Sequence, residues 1–187
     1  MGRWEPNARK RLAEAALQLY SEQGYEQTTV AQIARQAGLT ERTFFRHYAD
    51  KREVLFEGSP LQELIVTAVA TAPPSAPLVD VLGAGLDAAS AMFAGRREQV
   101  RRRQSVVAAH PELQERELIK LASLASALAD ALRDRGVPEP TATLAAEAGV
   151  AVFRVGFERW ITAAEETDMA PLMRDLLEEL GKVTARG

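Results

Sequence analysis

Apolar positions recur along this chain at the three- and four-residue spacing of helices, and nowhere at useful length at the two-residue spacing of strands. Leu12, Ala15, Ala16 and Leu19 make the first such face, and Gly24 follows where a helix end favours glycine. Three short capped segments come next. Thr29 with Gln32 has capping-box spacing ahead of Val30, Ile33, Ala34 and Ala37. Gly38 permits a tight turn, Thr40 caps a second short helix ending near Tyr48, and Asp50 with Glu53 has the spacing of another capping box.

The later elements are longer. One helix is predicted from about Lys51 to Thr71, kinked where Gly58-Ser59-Pro60 interrupts it. Residues 72–77 read as a Pro-rich linker. Val79, Leu82, Leu86, Ala89, Met92 and Phe93 then form one stripe. Helices over about 96–109, 112–135 and 139–165 are separated by His110-Pro111 and by the Gly/Pro-rich stretch 136–140. A last helix, capped by Thr167 or Asp168, carries Met169, Leu172, Met173, Leu176, Leu177 and Leu180. The expected fold is all-α with about nine helices.

Composition narrows the chemistry. The chain has 187 residues, 47% of them hydrophobic, and no cysteine, which excludes disulfides, thiolate metal sites and cysteine nucleophiles. His47 and His110 are the two histidines, too few for a histidine metal cage. No paired carboxylates, nucleophile–base set or metal spacing appears, so the expectation is no enzyme, no catalytic residue, no metal and no cofactor. Gly83-Ala-Gly85-Leu-Asp-Ala88 fits a dinucleotide-loop pattern, but it interrupts a helical stripe instead of following a strand. The start is charged and lacks an apolar signal core, and no run approaches the ~18 apolar residues of a membrane span. A cytoplasmic protein without a membrane partner is expected.

Net charge is −3, which taken whole argues against a nucleic-acid partner. Its distribution reverses the inference. Residues 1–52 hold nine basic and six acidic groups, a balance of +3, and the remaining 14 basic and 20 acidic groups leave −6. The division predicted is a basic head, 1–52, and a helical body, 53–187.

Residues 29–48 meet the demands of a DNA-reading helix-turn-helix. The first helix has an apolar face, Gly38 serves the turn, and the second helix buries Phe44 and Tyr48 while turning Arg42, Thr43, Arg46 and His47 outward. The run G24-Y-E-Q-T-T-V-A-Q-I-A-R-Q-A-G-L-T-E-R-T-F-F-R-H-Y-A-D-K-R-E-V-L-F56 resembles the DNA-binding domain of the TetR family of transcriptional regulators. The resemblance implies a homodimer whose helical body binds a small-molecule effector that controls affinity for double-stranded DNA. It places Thr29 and Lys51 at phosphate-contacting positions, and Glu41, Arg42, Thr43, Phe45, Arg46 and His47 on the recognition helix. Phe45 stands where the family commonly has tyrosine, and Arg42 where it often has a small residue. Arg42 has the donors to read guanine, and the Thr43 methyl suits a thymine methyl.

The body offers two further constellations. Arg96, Arg97, Arg101, Arg102 and Arg103 are either a solvated helix face, with Glu98 and Arg102 four residues apart, or the seat of an anionic effector. The stretch from Arg96 to Ala122 is similar to a TetR subgroup thought to recognise acyl-CoA-like ligands. With Arg96 and Arg97, the residues Met92, Phe93, Val106, Leu121, Leu124, Phe153 and Phe157 are candidates for a ligand pocket, each equally plausible as plain core. Ala145, Gly149, Val152 and Gly156 form a small-residue stripe beside Phe153 and Trp160. Together with Leu172 and Leu176 they suggest a four-helix dimer interface. A two-fold dimer reads a pseudo-palindromic operator. The Gly58–Pro60 interruption is a candidate hinge for a repressor, and a DNA-binding protein without an effector is the alternative.

Overall fold

Leu12, Ala16 and Tyr20 fall on one side of the first helix, α1 (Ala8–Gln23), and all three are buried. The same periodicity builds α2 (Val30–Gln36), α3 (Glu41–His47), α4 (Pro60–Thr71), α5 (Leu78–Phe93), α6 (Arg97–Ala109), α7 (Pro111–Asp134), α8 (Thr141–Thr162) and α9 (Met169–Thr184). The computed structural model describes residues 7–56, 60–165 and 167–184. Among these residues there are nine α-helices and no strand, and no single helix is long and apolar enough to cross a membrane.

The helix expected from Lys51 to Thr71 is two elements. A short 3-10 turn, Glu53–Leu55, precedes α4, and Pro60 is the first residue of α4. Proline suits that position because the first amides of a helix have no partner to lose. Of the candidate hinge, Gly58 and Ser59 lie outside the described residues. Asp50 caps as the sequence suggested, accepting from the amides of Arg52 and Glu53 at 2.8 and 3.3 Å. The Glu53 carboxylate pairs with Arg116. Gly83 and Gly85 sit within unbroken α5, as helix packing and not a nucleotide loop requires.

Packing divides the chain into two compact units, residues 1–58 with 101–118 and residues 59–100 with 119–187. In the first unit Leu12, Ala16, Tyr20, Tyr25, Ile33, Phe44 and Val54 share a core with Val106, Val107 and Leu113. These last three lie beyond the boundary that charge suggested at residue 52. They lie in α6 and α7, where neither charge balance nor helical periodicity marks them as part of the head.

In the second unit α5 packs against α4, α8 and α9, and α8 packs against α9. Val69, Val81, Ala89, Leu132, Ala142 and Met173 lie at its centre. Arg135 closes the end of α4, its guanidinium donating to the carbonyls of Val69, Ala72 and Pro73 at 3.1, 2.8 and 2.8 Å. The last four carbonyls of a helix have no partner within it, and a fork of donors satisfies several at once.

Candidate nucleic-acid interface

Thr29 starts α2 with both halves of a capping box. Its hydroxyl accepts from the Gln32 amide at 3.2 Å, and the Gln32 side chain accepts from the Thr29 amide at 2.8 Å. After α2 the Leu39 amide reaches back to the Ala34 carbonyl at 2.8 Å, and Gly38 takes a φ of 65°. That glycine is needed twice over. Its conformation is left-handed, and a Cβ there would stand 2.8 Å from the Arg11 guanidinium, which donates to the Ala37 carbonyl. Arg11 thus ties α1 to the turn that separates α2 from α3.

Thr40 caps α3, its hydroxyl accepting from the Thr43 amide at 3.2 Å. Phe44 and Tyr48 are buried beneath α3, with their rings 5.5 Å apart. Opposite them Glu41, Arg42, Phe45 and Arg46 are exposed, and Phe45 is 56% exposed with its ring edge-on to Phe44. Their spacing puts two guanidinium groups and one exposed aromatic on one face of a short helix. Thr43 is half-buried, with its hydroxyl 3.1 Å from that of Thr40. His47 is half-buried too, and its Nε2 has no hydrogen-bond partner. Burial, and then Arg46 and Arg9, push its pKa below the usual histidine value, so the ring is neutral at pH 7.

Lys51 does not extend into solvent. Its ammonium donates to the carbonyls of Tyr25 and Thr28 at 2.9 and 3.3 Å and lies 4.1 Å from the centre of the Tyr25 ring. The Arg11 and Lys51 ties are the features that reading along the chain missed. Each links groups 26 residues apart, and no local spacing signals such a pair.

The candidate ligand residues separate. Phe93, Phe153, Phe157 and Trp160 form a connected aromatic cluster, with Phe93 centred 5.5 Å from Phe157 and 6.4 Å from Phe153. Leu121 and Leu124 belong to the same core. Met92 is half-buried and Arg96 exposed. Val106 is not with them, because it is spent in the core of the first unit. Arg97 closes a helix end, a role outside both readings of the basic run. It donates to the carbonyls of Trp160 at 3.0 Å, Glu165 at 2.6 Å and Ala163, closing the end of α8. A cavity beside Leu82, Leu86, Leu124, Leu128 and Phe153 has about 10 Å³ of room, enough for one water at most.

The small-residue stripe of α8 turns inward. A Cβ on Gly149 would lie 3.3 Å from Leu82 and 3.4 Å from Leu128, and one on Gly156 would collide with the Met173 sulfur. Val152, Phe153 and Trp160 are buried, while Ala145, Leu172 and Leu176 pack half-buried against the same core. Small residues let α8 approach its own neighbours, and spacing alone does not say whose helix fills the groove. The outward apolar line of α8 is instead Leu144 at 66% exposure, Ala148, Ala151 and Val155 at 40%.

Two family models match this chain: bacterial regulatory proteins of the tetR family over residues 12–57, and the MftR C-terminal domain over residues 75–185. The HTH-type transcriptional regulator TcmR of Streptomyces glaucescens is 46% identical over 66 residues, taking in 35% of this chain and 29% of that protein. The match therefore spans under a third of the relative's length. A structure assigned to the TetR family, from Syntrophomonas wolfei, superposes with a TM-score of 0.67 at 14% identity, over 96% of this chain and 97% of that one. Thermus thermophilus FadR, a TetR-family repressor in complex with lauroyl-CoA, superposes with a TM-score of 0.59 at 20% identity, over 96% of each chain. At such identities the likeness is one of fold.

Proposed function

The chain belongs to the TetR family and is a DNA-binding transcriptional regulator, and we propose that it acts in the cytoplasm as a homodimeric repressor that a small effector releases from a pseudo-palindromic operator. The observation that carries this reading is the outer face of α3. Glu41, Arg42, Phe45 and Arg46 are exposed together on a helix whose other face Phe44 and Tyr48 lock in place. A rigid helix with a free cationic face is what entry into a major groove requires. Arg42 reads guanine through its paired donors, Phe45 meets a thymine methyl, and Arg46 holds phosphate or base. Thr29 stands at the phosphate position the family resemblance implies.

The outward line of Leu144, Ala148, Ala151 and Val155 supports a second copy as the dimer partner. Two heads then meet half-sites about one helical turn apart, ~34–36 Å. The effector we favour is an acyl-CoA or a similar ligand with a long apolar part. The aromatic cluster of Phe93, Phe153, Phe157 and Trp160 suits an acyl chain, and lauroyl-CoA occupies the Thermus relative of the same fold. A core with room for one water must open to admit such a ligand, so binding and a change of conformation are one event.

Selection of duplexes from a random pool, followed by mobility-shift titration, tests the reading. The expected result is a palindromic preference that Arg42→Ala relaxes at one base pair per half-site, worth about 1–3 kcal/mol, while affinity for other duplexes holds. Equal weakening on every duplex would remove Arg42 from base reading. Addition of lauroyl-CoA should then release the complex, and DNA binding indifferent to acyl-CoA of any chain length would eliminate that effector class.

A further inference from the structure

Lys51 is held from both ends. Its backbone carbonyl accepts from the Tyr20 hydroxyl at 2.7 Å, which fixes it against α1. Its ammonium points inward to the carbonyls of Tyr25 and Thr28, the two ends of the turn that leads from α1 into α2. Thr28 is itself buried, with its amide bonded to the Tyr25 carbonyl at 3.2 Å and its hydroxyl to the Gly24 carbonyl at 2.8 Å. A lysine reaching for a phosphate would give up both carbonyls and the ring of Tyr25 together.

Tyr25 carries the arrangement one step further. Its ring lies 5.2 Å from that of Tyr20 and 5.3 Å from that of His110, and its hydroxyl donates to Glu112 at 3.3 Å. Burial, and then the nearby Glu112 carboxylate, raise the pKa of that hydroxyl, so it stays protonated and a donor. Glu112 lies in the first turn of α7. One turn, buried at both of its ends, is therefore gripped by Lys51 from the segment after α3 and, through Tyr25, by the start of α7.

We propose that Lys51 is a positioning residue of the DNA-reading head. It fixes the turn from Tyr25 to Thr28, and with it the direction of α2 and of α3 packed upon it, while Tyr25 binds the first turn of α7 to the same turn. The proposal rests on the head being the DNA-binding unit, and it assigns Lys51 no direct phosphate contact.

Hydrogen exchange in the free protein separates the two roles, because a phosphate ligand has nothing to do before DNA arrives. Lys51→Met keeps most of the apolar stem and removes the charge and donors. The amides of Thr28, Gln32 and Ile33 should then exchange about tenfold faster, the size expected for losing bonds from a charged donor. On a random-sequence duplex the variant should bind more weakly, with the slope of log affinity against log salt retained. A direct phosphate contact predicts the reverse: unchanged exchange, and a slope reduced by about 0.9 for each lysine lost. That result would overturn the proposal. Tyr25→Phe guards against a variant too unstable to read, since it keeps the ring and its burial and loses only the hydroxyl. It should speed exchange at the same amides, and amides indifferent to both substitutions would also overturn the proposal. A wild-type protein that bound no duplex would count against the DNA-binding reading alone, because the exchange comparison needs no DNA.

Discussion

Gly38→Ala isolates what holds α3 at its angle to α2. The φ of 65° places any L residue in the left-handed region, at a cost of about 1–2 kcal/mol. The new methyl would also stand 2.8 Å from the Arg11 guanidinium. That guanidinium is the far end of a flexible chain and can withdraw, but only by loosening its bond to the Ala37 carbonyl. Arg11 is exposed, so solvent screening holds the bond below the usual range for a charged donor, at about 1 kcal/mol. The total is about 2–3 kcal/mol, which accelerates exchange of the Leu39 amide roughly 30- to 150-fold if that amide opens with the turn. The two parts separate in a double-mutant cycle. With Arg11→Met already in place, Gly38→Ala should cost only the backbone part, leaving a coupling of about 1 kcal/mol. Native-state exchange at Leu39 and Phe44 in the four proteins measures it. Costs that add to within about 0.3–0.5 kcal/mol would show that the guanidinium and the glycine are independent.

Three further outcomes follow from the packing. Gly156→Ala forces a methyl against Met173 and Leu176 and should lower stability by about 1–3 kcal/mol, read as a lower Tm. Met173→Ala in the same chain should make Gly156→Ala less costly than it is alone. Arg97→Met removes the donors that close α8 and should destabilise the protein by about 1–3 kcal/mol in urea unfolding. His47 has a folded pKa below its unfolded value, so its neutral form contributes stability that is complete above an unfolded pKa of about 6.5 and lost as pH falls toward the folded one. The urea midpoint should therefore decline more steeply below about pH 6.5 in the wild type than in His47→Gln.

Local signals were legible in the sequence because they are local in space. The Thr29–Gln32 box, the Thr40 cap, the Gly38 turn and the face shared by Phe44 and Tyr48 each lie within a few residues, and the structure has all of them. The outward set of Arg42, Phe45 and Arg46 follows from the same periodicity. What spacing does not encode is the partner across a contact. Gly149 and Gly156 mark a close helix approach correctly, but the approaching side chains are Leu82, Leu128 and Met173 of the same chain. Arg97 reads as one charge in a basic run, and only the fold brings three carbonyls from the end of α8 to it. Thr43 and His47 have recognition-helix spacing, yet neighbouring groups hold them half-buried.

Val106, Val107 and Leu113 lie more than forty residues beyond the last helix-turn-helix element, yet they complete the core around Tyr25 and Phe44. Regulators of this kind invite the idea that heads are interchangeable cassettes, cut near residue 57 and spliced onto any body. In this chain such a splice would carry away a core and leave part of its filling behind. A transplanted head would meet three apolar side chains chosen to fit another set of helices. The unit that keeps its own core therefore runs from α1 through the 3-10 turn and takes in a segment of α6 and α7.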